Sequence, residues 1–334
     1  MAGAGGSVMR IVFMGTPEFA ASCLRGVLEA GYEVAAVYTQ PDRPKGRKGE
    51  LCASPVKELA LSEGIPVYQP ERIRRKAEVE TLRNLRPDLI LVAAYGQILS
   101  KAILDMAPCI NAHASLLPHY RGSSPIQRAI AAGDAVTGVT AMRMNEGVDT
   151  GNIIFTREVP ITDQDTGDSL EEKLAQAGAE ALVAVLKARE AGDDLVGTPQ
   201  DESQATHAPM LSREDGKMDW NLSARQMDQA VRAFTSWPSS YTLWKGKTLK
   251  VQAARVFRET GRPGGHPNGT VFSREEAAAL GAKPDRQILV QTGEGILELC
   301  QLQLPGKKTL SADVFLRGCP LWGERLGEDE DPGV

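Results

Sequence analysis

Hydrophobic positions follow two regimes along the chain. Up to about residue 160, short and continuously apolar runs alternate with amphipathic stretches. Ile11–Met14, Val34–Tyr38, Leu89–Ala93 and Cys109–His113 read as strands. Runs that stay apolar on both faces are those expected of parallel strands buried between helices. Between them, Ala20–Ala30 and Ser54–Ser62 have helical character, and Ile73–Leu85 reads as a charged helix. The alternation predicts a mostly parallel, Rossmann-like α/β sheet covered by helices. Val139–Met144 and Ile153–Val159 continue that sheet. Ser169–Arg189 is expected as one long helix, with Leu170, Leu174, Ala177, Ala181 and Val185 on one stripe.

The second regime begins near residue 190. Ala191–Met210 is polar, carries two prolines and reads as a linker. Beyond it Thr248–Arg255, Gly269–Phe272, Gln287–Thr292 and Gly295–Gln303 are short strand candidates between glycines and prolines, preceded by one helix candidate at Trp220–Phe234. Several short strands in so small a region predict a small OB-like β-barrel. The expected organisation is a catalytic α/β domain over 9–190, a linker over 191–210, a second domain over 211–325 and a frayed acidic tail, Glu328–Val334. No internal repeat is found.

Composition narrows the class. With 334 residues, 42% hydrophobic and 24% charged, the chain is long enough for one large or two medium domains. No apolar run approaches the roughly 20 residues that cross a bilayer. Met1–Met9 is uncharged and rich in Gly and Ala, without the basic flank or apolar stretch of a secretion signal, so a cytoplasmic location is expected. The five cysteines (23, 52, 109, 300 and 319) are scattered and form no CxxC pair, which favours reduced thiols over a disulfide frame or a metal site. The net charge of −5 conceals a gradient: residues 211–320 hold 16 basic against 11 acidic side chains, whereas 321–334 hold 1 against 5. A basic second half on an acidic first half points to two units with different partners.

Five segments bear on chemistry. Gly15-Thr16-Pro17-Glu18-Phe19 follows the first strand, where a dinucleotide-binding protein would place GxGxxG; with a single glycine and a proline in the loop, the pyrophosphate cradle is missing. Asn111 and His113 stand two apart at the carboxyl end of a strand, so both project from one face. An amide donor beside an imidazole suits acyl or formyl transfer, the one stabilising an oxyanion and the other moving a proton. Asp149, within Gly147–Gly151, either orients that imidazole or closes an Asx turn. A second Asp-Thr-Gly at Asp165 raises the aspartic-protease pattern, but the two copies are too close for each to have its own β-domain. Arg43, Lys45, Arg47 and Lys48 lie on a Pro/Gly loop past the second strand and could hold a phosphate backbone. In the second half Trp237, Tyr241 and Trp244 stand near Lys245, Lys247 and Lys250; the rings serve a core or a stacking surface, and the lysines are the better contact candidates.

Taken in order, Met14–Phe19, Gln40–Pro44, Ser54–Lys57, Asn111-x-His113-x-Ser115-Leu116-Leu117-Pro118, Tyr120-Arg121-Gly122-x-x-Pro125-Ile126-Gln127, Gly138–Thr140, Asp149–Gly151 and Pro305–Lys308 resemble the methionyl-tRNA formyltransferase family over about residues 9–325. The resemblance implies the formyltransferase fold and transfer of a formyl group from 10-formyltetrahydrofolate to the α-amino group of initiator methionyl-tRNA. It places the catalytic Asn, His and Asp at Asn111, His113 and Asp149, folate contacts at Ser115, Leu116, Leu117 and Pro118, and tRNA contacts at Arg43, Lys45, Arg47, Lys48, Lys245 and Lys247, with no metal. A monomer is expected, with no membrane partner. His119-Tyr120 departs from the family's usual basic–aromatic pair, and the Met1–Val8 extension has no counterpart. Formyltransferases acting on sugar amines or glycinamide ribonucleotide, and formyltetrahydrofolate hydrolases, share the same three-residue centre and remain the alternative.

Overall fold

The computed structural model describes residues 9–45 and 49–328. Arg47 and Lys48 therefore lie outside the described residues, as does most of the acidic tail. The chain forms two compact units. Residues up to Pro125, with Val136–Pro160 and Leu170–Pro209, make the first; Ile126–Ala135, Ile161–Ser169 and the chain from Met210 onward make the second. The boundaries expected from sequence follow chain order, whereas in space 126–135 and 161–169 group with the C-terminal unit.

The first unit is built on a seven-stranded sheet. Its elements begin β1 (Ile11–Gly15), α1 (Glu18–Glu29), β2 (Val34–Tyr38), a short hairpin of β3 (Arg43–Lys45) and β4 (Glu50–Cys52), α2 (Pro55–Ser62), β5 (Val67–Tyr68), α3 (Lys76–Asn84) and β6 (Leu89–Ala93). Then come α4 (Lys101–Leu104), β7 (Cys109–His113), β8 (Val136–Arg143), β9 (Asn152–Pro160) and, from Leu170 onward, α6 (Gly167–Glu190), while α5 (Pro125–Ala132), between β7 and β8 in the chain, groups with the second unit. The strand order is β5-β2-β1-β6-β7-β8-β9; strands through β7 run parallel, and β8 and β9 run antiparallel at one edge. β1 and β6 are buried at every position, as their unbroken apolar runs require.

Local chemistry sets the ends. Ser54 accepts from the Lys57 amide and Pro55 occupies the first turn, which starts α2. Gly15 leaves β1 where a Cβ would meet Ala20 Cβ at 2.6 Å and the Ala93 carbonyl at 2.8 Å, so its smallness permits the tight turn into α1. The hairpin β3–β4, with a proline in one strand, was not foreseen in the polar loop; nor was α5.

The second unit holds α7 (Ala224–Ala233), β10 (Tyr241–Trp244), β11 (Lys247–Arg258), α8 (Arg274–Ala279), β12 (Ile288–Gln291), β13 (Ile296–Gln303), β14 (Leu310–Ser311) and α9 (Ala312–Gly318). Its strands form an antiparallel sheet in the order β10-β11-β13-β12, with β14 against β13. Three register shifts along β11 bend the sheet into a curled half-barrel, in the region where a small OB-like β-barrel is expected from the sequence. Gly269–Phe272, expected as a strand, makes only isolated bridges to Arg325 and Val290. α7 is shorter than expected because Ser223 and Gln226 close a capping box, which leaves Trp220 free to enter the core with Val251, Leu297 and Phe315.

Candidate active site

In this strand order the sheet runs away from β1 in both directions, to β2 on one side and β6 on the other. Open α/β sheets bind ligands at that reversal, outside the carboxyl ends of the strands. A cleft of ≈ 470 Å³ lies there, lined by Thr16 and Pro17 after β1, Gln40 and Pro41 after β2, Arg43 and Cys52 on the hairpin, and Ala94–Gly96 after β6. That volume lies within the range of small-molecule sites. Its frame is tied together: the Thr16 hydroxyl (3.1 Å) and the Gln40 amide (3.1 Å) both donate to the Tyr95 carbonyl.

One strand further, β7 carries the amide and the imidazole. Val92 of β6 is in register with Asn111, and His113 with Thr140 of β8. Asn111 is half-buried, and its side-chain amide has no hydrogen-bond partner among the described residues. His113 is only 6% exposed, and both ring nitrogens face acceptors. Nε2 lies 2.9 Å from the Tyr120 carbonyl, so it carries the proton; Nδ1 faces Asp149 Oδ2 at 3.6 Å. The same carboxylate oxygen accepts from the Gly122 amide at 2.8 Å. Asn111, His113 and Asp149 are thus gathered at one end of the sheet from two segments of the chain.

The loops that bring them together are unusual in backbone. Asp149 sits at φ 54° and Tyr120 at φ 58°, in the left-handed region that non-glycine residues seldom occupy. Gly122 has φ 118°, and a Cβ there would meet the Ala208 carbonyl at 2.7 Å. The polar segment read as a linker runs along this loop: Thr206 Oγ1 accepts from the Tyr120 amide, and backbone bonds join Arg121 to Thr206 and Ala208. Within it Gln200 donates to the carbonyls of Asp149 (2.8 Å) and Gly151 (2.7 Å). Arg121, 4% exposed, donates to Gln200 Oε1 and forms a two-pronged ion pair with Glu202 at 2.7 and 2.8 Å. That pair raises the Arg121 guanidinium above its usual range and holds the Glu202 carboxyl below its own. Gln200 and Glu202 carried no sequence signal, because their partners lie 49 to 81 residues away.

The remaining expected residues are placed as follows. The Ser115 side chain is fully buried and donates to the His119 carbonyl at 2.6 Å, while Thr140 bonds the Ser115 carbonyl and the Leu117 amide. Leu117 is buried; Leu116 and Pro118 are half-buried. Arg43 is exposed on β3 and lines the cleft, and Lys45 ends that strand. In the second unit Lys245, in the turn between β10 and β11, pairs with Glu324 at 2.9 Å and lies over Trp244. Lys247 is exposed without an ion-pair partner among the described residues. Among these residues there is no cluster of three or more His, Cys, Asp or Glu that could hold a metal ion, and no helix is long and apolar enough to cross a membrane.

A parallel sheet with an amide, an imidazole and a carboxylate at its carboxyl edge, followed by a curled antiparallel domain, describes a formyltransferase class of protein. Family models described as "Formyl transferase" and "Formyl transferase, C-terminal domain" match residues 9–186 and 210–320. A methionyl-tRNA formyltransferase from Agathobacter rectalis is 47% identical, covering 93% of this chain and 97% of the relative. One from Geobacter sulfurreducens is 45% identical, covering 96% and 97%. The chain belongs to the methionyl-tRNA formyltransferase family. Solved structures share its fold at low identity. A sugar 3N-formyl transferase, WlaRD, crystallised with dTDP and 5-N-formyl-THF, has TM-score 0.63 at 17% identity, covering 91% of this chain and 100% of that one. HypX from Aquifex aeolicus, in complex with tetrahydrofolic acid, has TM-score 0.59 at 19% identity; the match covers 93% of this chain, which spans about half the length of HypX (47%).

Proposed function

We propose that this protein transfers a formyl group from 10-formyltetrahydrofolate to the α-amino group of initiator methionyl-tRNA. The observation that carries the reading is the approach of His113 to Asp149 at the carboxyl end of β7, with Asn111 two residues earlier on the same strand, in a chain of this family. The folate supplies an activated formyl carbon. Leu116 and Pro118, half-buried next to His113 in the chain, are the residues of their segment left to contact it, since Ser115 is bonded internally and Leu117 is buried. The aminoacyl end of the tRNA enters at the cleft bordered by Arg43, whose cation suits a nucleic-acid partner.

An α-amino group with a reference pKa of about 8 is mostly protonated at neutral pH, so attack needs a base. His113 takes that proton on Nδ1, the nitrogen left without a hydrogen while Nε2 donates to the Tyr120 carbonyl, and the Asp149 carboxylate facing Nδ1 stabilises the cation that forms. Asn111 donates its free amide N–H to the charge developing on the formyl oxygen. As the new C–N bond forms and the bond to the folate nitrogen breaks, the proton passes from His113 to the departing nitrogen. Lys247 and the hairpin's Arg43 each supply a cation suited to the phosphate backbone.

The test is incubation with 10-formyltetrahydrofolate and charged initiator tRNA, assayed for formylmethionine. Formylmethionyl-tRNA is the expected product. Formylation of free sugar amines or release of free formate, with the tRNA left unformylated, would overturn the assignment.

A further inference from the structure

We propose that Gln200 is a positioning residue that sets the Asp149 turn and, through it, the His113 ring; the inference rests on the catalytic roles proposed above. Gln200 comes from a polar segment with no periodicity, 51 residues beyond Asp149. Its carboxamide is nevertheless saturated in a directional way. Nε2 gives its two hydrogens to the carbonyls of Asp149 and Gly151, on either side of the turn's last peptides, at 2.8 and 2.7 Å. Oε1 receives two N–H groups from Arg121, at 2.8 and 3.1 Å. A flipped amide would aim NH₂ at a guanidinium and oxygen at two carbonyls, so the orientation follows from the partners.

Arg121 cannot drift, because Glu202 grips the same fork from the other side. Asp149 holds φ 54°, a conformation that an aspartate keeps only when its surroundings over-determine it. Gln200 supplies that determination on the backbone, and the Gly122 amide supplies it on the carboxylate. Releasing either carbonyl lets the turn relax toward right-handed backbone and moves Oδ2 relative to His113 Nδ1. Gln200 touches no reacting atom. Its contribution is to the precision of a contact now spanning 3.6 Å.

The decisive variant is Gln200→Glu. It keeps the volume and gives Arg121 a second anion, but sets an oxygen against the two carbonyls. A displacement of the Asp–His pair on the ångström scale lowers kcat on the order of 10²-fold while KM for methionyl-tRNA and for the folate stays within about twofold. In parallel the ring ¹⁵N signals of His113, assigned against His113→Gln, differ between wild type and variant across the pH range. Gln200→Met, neutral and similar in volume, covers the case in which Gln200→Glu does not fold, and the same outcomes apply. Wild-type kcat together with unchanged His113 signals would overturn the proposal, and so would a loss confined to KM or to thermal stability. The spectrum needs no substrate. If the wild-type protein formylates no methionyl-tRNA, the functional reading fails while the His113 signals still decide whether Gln200 positions the ring.

Discussion

The end of β7 and the turn between β10 and β11 use polar residues in opposite ways. Around His113 the groups are mutually bonded and mostly buried: the imidazole between Tyr120 and Asp149, the carboxylate on Gly122, the guanidinium on Gln200 and on the exposed Glu202. At the turn, Lys245 and Lys247 are exposed, and one of them has no ion-pair partner among the described residues. Buried polar groups that satisfy one another are fixed in direction, which is what a proton transfer or an oxyanion contact needs. Exposed cations remain mobile and screened; they supply attraction that falls with salt and carry little directional information. Chemistry and affinity are thus assigned to different physical regimes.

The contrast breaks most sharply at Asn111. Asn111→Ala should lower the single-turnover rate by on the order of 10²–10³ with tRNA affinity retained, the cost of losing one oxyanion donor. An unchanged rate would remove Asn111 from the chemistry and leave the buried region with only a structural role.

Gly122→Ala comes next. The added Cβ meets the Ala208 carbonyl at 2.7 Å, and φ 118° suits only glycine. A loss of about 1–3 kcal/mol in denaturant unfolding is expected, with a fall in kcat because the Gly122 amide carries Asp149. Full stability and turnover would mean that the loop is softer than its bonding implies.

For the exposed region, Lys247→Glu should weaken tRNA binding severalfold and flatten the dependence of log K on log salt by about one or two ions. Lys245→Glu should do less, since Glu324 already engages that lysine. Equal effects would undo the distinction between the two lysines. Neither change should move kcat at saturating tRNA.

The smallest effect belongs to Asp42, at the base of the basic hairpin. The Lys57 ammonium and the Gln69 amide hold its carboxyl below the usual carboxylate range. A folded value below the unfolded one stabilises above the ordinary carboxylate range and is lost as pH falls through the folded value. Melting curves of Asp42→Asn and wild type should therefore differ slightly at neutral pH and converge as the pH is taken down through and below the ordinary carboxylate range. Divergence on acidification would reverse the sign.

Legibility differed by element. β1, β2, β6 and β7 were readable nearly to the residue because strands buried on both faces must be apolar throughout. The hairpin β3–β4 was not, since a three-residue strand containing proline inside a cationic loop carries turn chemistry rather than strand pattern. α8 and α9, of six and seven residues, are too short to display a period. Asn111 and His113 could be paired from their spacing alone. Asp149 could be nominated, but its left-handed backbone could not, and Arg121 was visible only as part of a motif. Gln200 and Glu202 sat in a stretch whose composition reads as a linker.

What the residue order determined unaided is everything with a local cause: apolar runs that must be covered, the Ser54 and Ser223 caps, an amide and an imidazole on one strand face, and the split of charge between the halves. What the tertiary structure alone decided is which distant acceptor each buried donor found. A hydrogen bond depends on tenths of an ångström and tens of degrees. Such placement comes from the packing of segments far apart in the chain, and no periodicity encodes it.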